Sequence, residues 1–209
     1  MRRVPRGVPR AGDLVRIAAI DPGMRAIGYA EATAETGWLV FAGASTVRET
    51  ATPAEIARAH VRALLLRRNA AHDPSGRIAP PDPARVYVES MRYRPRAANS
   101  FPNDLLDVQT CGLLVAHRLA PQGEIVPIEV EDWKRNLPKA IHHARLDFAL
   151  TTLERELVSA ACDRAGAHAK EVLDAVGILL FALGRIDKAG RVRDFWGPAK
   201  ELAWGRKVT

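Results

Sequence analysis

Residues 17–30 read IAAIDPGMRAIGYA: an apolar run, an aspartate, a Pro-Gly pair and a second apolar run. Short apolar runs bounded by turn formers pattern as buried strands. The spacing therefore predicts one strand from about Leu14 to Ile20 and a second from Ala26 to Thr33, with Asp21-Pro22-Gly23 between them. Asp21 then stands where the first strand ends, its carboxylate at the rim of the sheet. A carboxylate fixed on a rigid strand end can hold a hard cation such as Mg2+, which makes the placement of every other acid matter.

Outward from this stretch, Glu35-Thr36-Gly37 reads as a turn and Trp38 to Ala42 as a third strand. Turns this short join antiparallel neighbours, so the chain should open as a meander. Pro53 to Arg68 reads as a helix capped by Thr52, with proline at its first position. A Pro- and Gly-containing loop from Ala71 to Pro83 leads to a β-rich run, Arg85 to Val88, that ends in Glu89. A long helix from Asn99 to Leu119, a strand from Glu124 to Ile128 and a short helix from Glu131 to Leu137 follow. Pro138 interrupts, a helical stretch runs from Lys139 to Ala161, and the last helix spans His168 to Ile186. That helix is apolar on nearly every face, so it should be buried. Strands that begin as a meander and then alternate with helices predict an α/β fold: a mixed five-stranded sheet flanked by helices.

The chain has 209 residues, 47% of them apolar, and a formal charge of +7. One domain over residues 14–187 is expected, with a basic N-terminal arm at 1–13 and a basic C-terminal tail at 188–209. The charge favours an anionic partner, of which nucleic acid is the commonest. Arg2, Arg3, Arg6, Arg10 and Arg16 crowd the start, and Arg185, Lys188, Arg191, Arg193, Lys200, Arg206 and Lys207 the end. Both ends could track phosphates or simply solubilise the chain. Cys111 and Cys162 form no CxxC, so neither a zinc knuckle nor a redox pair is indicated. The longest clean apolar run, Val176 to Leu183, is far too short to span a bilayer, and no secretion signal is read at the N-terminus. A cytoplasmic protein is expected.

Two predicted strands end in an acid, Asp21 and Glu89. If these strands are parallel neighbours, both carboxylates reach the same rim. The last helix carries His168, Glu171 and Asp174, spaced three apart along one face. Asp174 precedes AVGILLFAL and so lies at the edge of an apolar surface, where an unpartnered carboxylate is costly. A metal ion would satisfy it. Two cations about 3.5–4 Å apart can clamp the attacking and leaving oxygens of a phosphodiester. Asp21 would bridge them, Glu89 would flank on one side, and Glu171 with Asp174 on the other. Each acid also has an ordinary use: Asp before Pro-Gly forms turns, Glu89 could pair with Arg92, and Glu171 with a basic neighbour.

The stretches IAAIDPGMRAIGYA, VYVES and EVLDAVGILLFALGR together resemble the RuvC-type Holliday junction resolvases of the RNase H-like superfamily, over about Ile17 to Arg185. The resemblance implies an RNase H-like fold, a homodimer, and Mg2+-dependent incision of four-way or other branched DNA. It further implies two ions per site, with Mn2+ as a substitute. Asp21, Glu89 and Asp174 fall on three catalytic positions and Glu171 on the fourth, where the family usually has Asp or His. His168, one turn earlier, is the alternative ligand. The family often places an aromatic shortly after the strand-four glutamate, which points to Tyr93, with Phe101 second. VEDWKRNLPKAIHHARL also looks like the family's basic stretch, making Lys134, Lys139 and Arg145 candidate contacts to the DNA backbone. Arg92, Arg94 and Arg96 follow Glu89 where a phosphate backbone would pass. His142 and His143 are adjacent, so they cannot share a helix face, and they read as phosphate or surface contacts. Competing readings are a transposase or nuclease component using the same acids, a DNA-binding protein without catalysis, and an actin-like ATPase domain.

Overall fold

The computed structural model describes residues 15–47, 52–75, 79–90, 102–134 and 137–193. The arm at 1–13, and with it Arg92, Tyr93, Arg94, Arg96 and Phe101, lies outside the described residues.

Strands β1 (Arg16–Asp21), β2 (Ala26–Thr33) and β3 (Leu39–Thr46) form the expected antiparallel meander. Strand β4 (Arg85–Ser90) adds to β1 in parallel, and β5 (Glu124–Glu129) adds to β4 in parallel. The result is the mixed five-stranded sheet expected, in the order β3-β2-β1-β4-β5. Among the described residues six α-helices accompany it: α1 (Pro53–His72), α2 (Pro102–Leu119), α3 (Val130–Trp133), α4 (Lys139–Ala149), α5 (Thr152–Ala165) and α6 (Ala169–Ala182).

Strand side chains alternate between faces, and the two cores sort by this parity. Ala18, Ile20, Ile27, Tyr29, Val86 and Val88 face α1 and α2. Ile17, Ala19, Ala30, Ala32 and Tyr87 face α5 and α6. The alanine-rich second face lets α6 lie close over β1 and β2. As its apolar sequence predicts, α6 is buried: Val172, Ala175, Val176, Ile178, Leu179 and Leu180 have no exposed surface.

The helical stretch expected from Lys139 to Ala161 is two helices. Thr151 and Glu154 form a capping box: Thr151 Oγ1 accepts from the Glu154 amide at 3.2 Å, and Glu154 Oε2 accepts from the Thr151 amide at 2.8 Å. Such reciprocal bonds start a new helix. Strand β3 runs four residues beyond its expected end because Ala44, Ser45 and Thr46 still pair with β2. The short helix after β5 stops at Trp133, and α6 ends at Ala182. Arg185 then turns inward onto Glu154, with Nη1–Oε1 at 2.6 Å and Nη2–Oε2 at 2.7 Å. No helix of the described residues is long and apolar enough to cross a membrane.

Candidate active site

The parity that points Ile17 and Ala19 at α6 continues to Asp21, and the parity of Tyr87 continues to Glu89. Because β1 and β4 are parallel with Ile20 opposite Val88, one further step along each strand brings the two acids side by side. The charge of each carboxyl therefore bears on the other. Both are almost fully buried, Asp21 at 7% exposure and Glu89 at 4%. Burial first, then the charges of Glu89 and Asp174, hold the Asp21 carboxyl well above the usual carboxylate range, against the opposing charge of Lys139. Neighbouring buried carboxyls are relieved by a proton on one of them or by a cation between them.

Helix α6 brings Asp174. Its close approach depends on Gly28, the β2 residue opposite Asp21. A Cβ at Gly28 would lie 1.8 Å from the backbone oxygen of Glu171, so a side chain there would push α6 off the sheet. Asp174 is 1% exposed and fully engaged. His143 Nε2 lies 2.9 Å from its Oδ1, Lys134 Nζ lies 3.7 Å from the same oxygen, and Lys139 Nζ donates to Oδ2. Burial alone would raise the Asp174 carboxyl, but the hydrogen bond from His143 and the charges of Lys134 and Lys139 outweigh it and bring it down to about 2.

The remaining wall comes from the chain after β5. Trp133 Nε1 donates to Glu89 Oε1 at 3.1 Å, and Lys134 Nζ lies 3.5 Å from the same oxygen. The Lys134 ammonium also sits 4.4 Å from the Trp133 ring centroid. Gly177, three residues beyond Asp174, leaves space for Trp133 and His142, since a Cβ there would come within 2.7 Å of both rings. His142 is therefore a core residue, with no exposed surface and its ring edge-on to Trp133 at 4.8 Å between centroids. His143 faces Asp174 instead.

Asp21, Glu89, Asp174 and Lys134 thus lie buried together between β1, β4, α3, α4 and α6, with Lys139 half-exposed at their edge. Arg145 does not join them: its Nη1 donates to the Ala189 carbonyl, holding the turn between Ile186 and Val192. Glu171 lies one turn before Asp174. Its Oε1 is 3.8 Å from Lys170 Nζ and 4.0 Å from His168 Nδ1, while its Oε2 is buried with no hydrogen-bond partner. The reading of His142 and His143 as phosphate or surface contacts is corrected: one is interior packing and the other is a partner of Asp174. Adjacency in sequence forces the two rings to different surroundings, but which of them would reach Asp174 depends on how α4 is rotated against α6.

Among the described residues, no three or more His, Cys, Asp or Glu side chains converge tightly enough to hold a metal ion as they stand. The donor set nevertheless suits a hard divalent cation, since it is all carboxylate oxygen. Glu171 Oε2 is buried with no hydrogen-bond partner, and Asp21 stands in the repulsive field of Glu89 and Asp174. The Asp174 oxygens are turned to Lys139, His143 and Lys134.

No family model matches the chain, and no curated protein does. Among solved structures, the chain is similar to Thermus thermophilus RuvC in complex with a Holliday junction substrate, at 15% identity and a TM-score of 0.43, over 81% of this chain and 93% of that one. A second Thermus thermophilus RuvC structure is similar at 12% identity and a TM-score of 0.42, over 81% of this chain and 97% of that one.

Proposed function

We propose that this chain is a Mg2+-dependent endodeoxyribonuclease that cuts four-way (Holliday) or other branched DNA junctions by phosphodiester hydrolysis. The observation that carries the reading is the burial of Asp21, Glu89 and Asp174, from two strand ends and one helix, in a single pocket flanked by two lysines. Three acids brought together from such distant points of the chain have no structural necessity, because apolar side chains would fill the space at lower cost. The preference for branched DNA comes from the sequence resemblance, and the choice of nucleic acid agrees with the charge of +7.

Asp21, Glu89, Asp174 and Glu171 would hold the metal, with His168 behind Glu171. When bound, Mg2+ supplies polarisation of a phosphodiester oxygen and an acidified water. The chain's own residues do the rest. Trp133 and Lys134 orient Glu89, and His143 orients Asp174. The Lys139 side chain is 54% exposed at the mouth of the pocket, where its ammonium can meet a phosphate. Arg92, Arg94 and Arg96, directly after Glu89 in sequence, would track the backbone, and Tyr93 would stack on a base at the branch point. On α2, Leu106 and Leu113 are exposed one heptad apart while Val115 is buried, which supports α2 as the contact of a homodimer.

Synthetic four-way, three-way and linear DNA incubated with the protein and Mg2+ test this reading. Paired symmetric nicks in the four-way junction, lost in Asp21→Asn while DNA binding persists, are expected. Equal cutting of linear duplex, or full activity in Asp21→Asn, would reject it.

A further inference from the structure

The acidic pocket already contains a cation, and the chain supplies it. Lys139 is the first residue of α4, so a short backbone lever carries its side chain across to α6. Its Nζ donates to Asp174 Oδ2, and the charges of Asp174, Asp21 and Glu89 all act on it. Lys134 differs. Only about a tenth of its side chain is exposed, packed along Trp133 between Glu89 and Asp174, and it has no room to leave. Lys139 is half-exposed and has four rotatable methylenes with open solvent beyond them. The pocket therefore has one fixed ammonium and one that can swing out.

We infer that the Lys139 ammonium is a built-in counter-ion that occupies Asp174 in the metal-free protein and is displaced when a divalent cation enters. This deepens the proposed function and rests on its acidic-site reading. It also accounts for an otherwise awkward fact, that the carboxylates suit a divalent ion in chemistry yet do not converge on one as they stand. Asp174 Oδ2 becomes available only when Lys139 leaves it. Once freed, the ammonium remains tethered at the mouth of the pocket, where a scissile phosphate would lie. The two cations compete for the same oxygen, so Lys139 lowers metal affinity and keeps the buried acids compensated until metal arrives. His143 and Lys134 stay on Oδ1 throughout and are not part of the exchange.

Binding of Mn2+, followed by the paramagnetic resonance of the free ion, reads this directly without DNA or turnover. Removing one positive charge from beside the site in Lys139→Met should tighten Mn2+ binding roughly tenfold. The chemistry can also be read in the unaltered protein: reductive methylation of Lys139, followed by peptide mass mapping, should speed up at saturating Mn2+ as the amine leaves Asp174. Equal or weaker Mn2+ binding in Lys139→Met, or a methylation rate indifferent to Mn2+, overturns the exchange while leaving the acidic site intact. Absence of Mn2+ binding in both proteins overturns the acidic-site reading, and this inference with it.

Discussion

Trp133 Nε1 donates to Glu89 Oε1 at 3.1 Å, so the helix after β5 fixes the carboxylate that β4 delivers. Trp133 has no exposed surface, and its ring also backs the Lys134 ammonium. In Trp133→Phe the aromatic packing largely survives, but a buried acceptor loses its donor, which costs about 1–3 kcal/mol. Urea unfolding should show that loss. Junction cleavage should fall further than stability does, because Glu89 is then held by Lys134 alone on that side.

Asp21 makes a prediction of unusual sign. Its carboxyl is raised in the folded state, by burial and by Glu89 and Asp174. A raised group favours folding most below its unfolded value and loses that contribution as pH rises through the folded one. At neutral pH the metal-free protein therefore carries a deficit at Asp21. Asp21→Asn removes it, so thermal unfolding in EDTA should occur at a higher temperature than in the wild type. Added Mg2+ should stabilise the wild type and leave the variant unmoved. An Asp21 that served the fold alone would give the opposite shift.

The pH dependence of stability has a second source in His142. Burial first, then the charge of His143, hold its imidazole down to about 4. The unfolded chain binds a proton near the ordinary value of 6.5 and the folded chain does not, so stability is complete above about 6.5 and declines as pH falls towards 4. The span corresponds to about 2–3 kcal/mol. Denaturation curves between these pH values should show that slope in the wild type and a flatter one in His142→Gln.

The Glu154–Arg185 pair joins the start of α5 to the chain beyond α6. It is buried at 4% and 2% exposure, and Glu154 also accepts from the Leu39 amide at 2.8 Å. Removing one member leaves a buried charge and open backbone groups, so Arg185→Met should cost about 3–5 kcal/mol. The pair lies away from the acidic pocket. In protein that remains folded, Mn2+ affinity should be unchanged.

Much of this architecture was legible in short apolar runs and the turn formers that bound them. Those runs placed Asp21 and Glu89 at strand ends and the apolarity of α6 set Asp174 at the edge of an apolar surface, while the shared rim depended on the parallel pairing of β1 with β4. Helix boundaries were less accessible. Thr151 and Glu154 carry the spacing of a capping box, yet the apolar periodicity runs through them and reads as one helix. The basic stretch separated in a way that spacing alone does not specify: Lys134 and Lys139 turn into the pocket, while Arg145 is drawn to the Ala189 carbonyl. The place of His143 on Asp174, rather than at the surface, was not legible because it depends on how α4 packs against α6, a tertiary relationship with no local signature.

The proposed function requires Asp21, Glu89 and Asp174 to share a divalent ion. A crystal structure of the protein with Mn2+, recorded at the manganese absorption edge, tests it most directly. An anomalous peak bounded by these three carboxylates is expected, with Glu171 rather than His168 reaching it and Lys139 moved off Asp174. A pocket without an anomalous peak at saturating Mn2+, or an ion held by other residues, would contradict it.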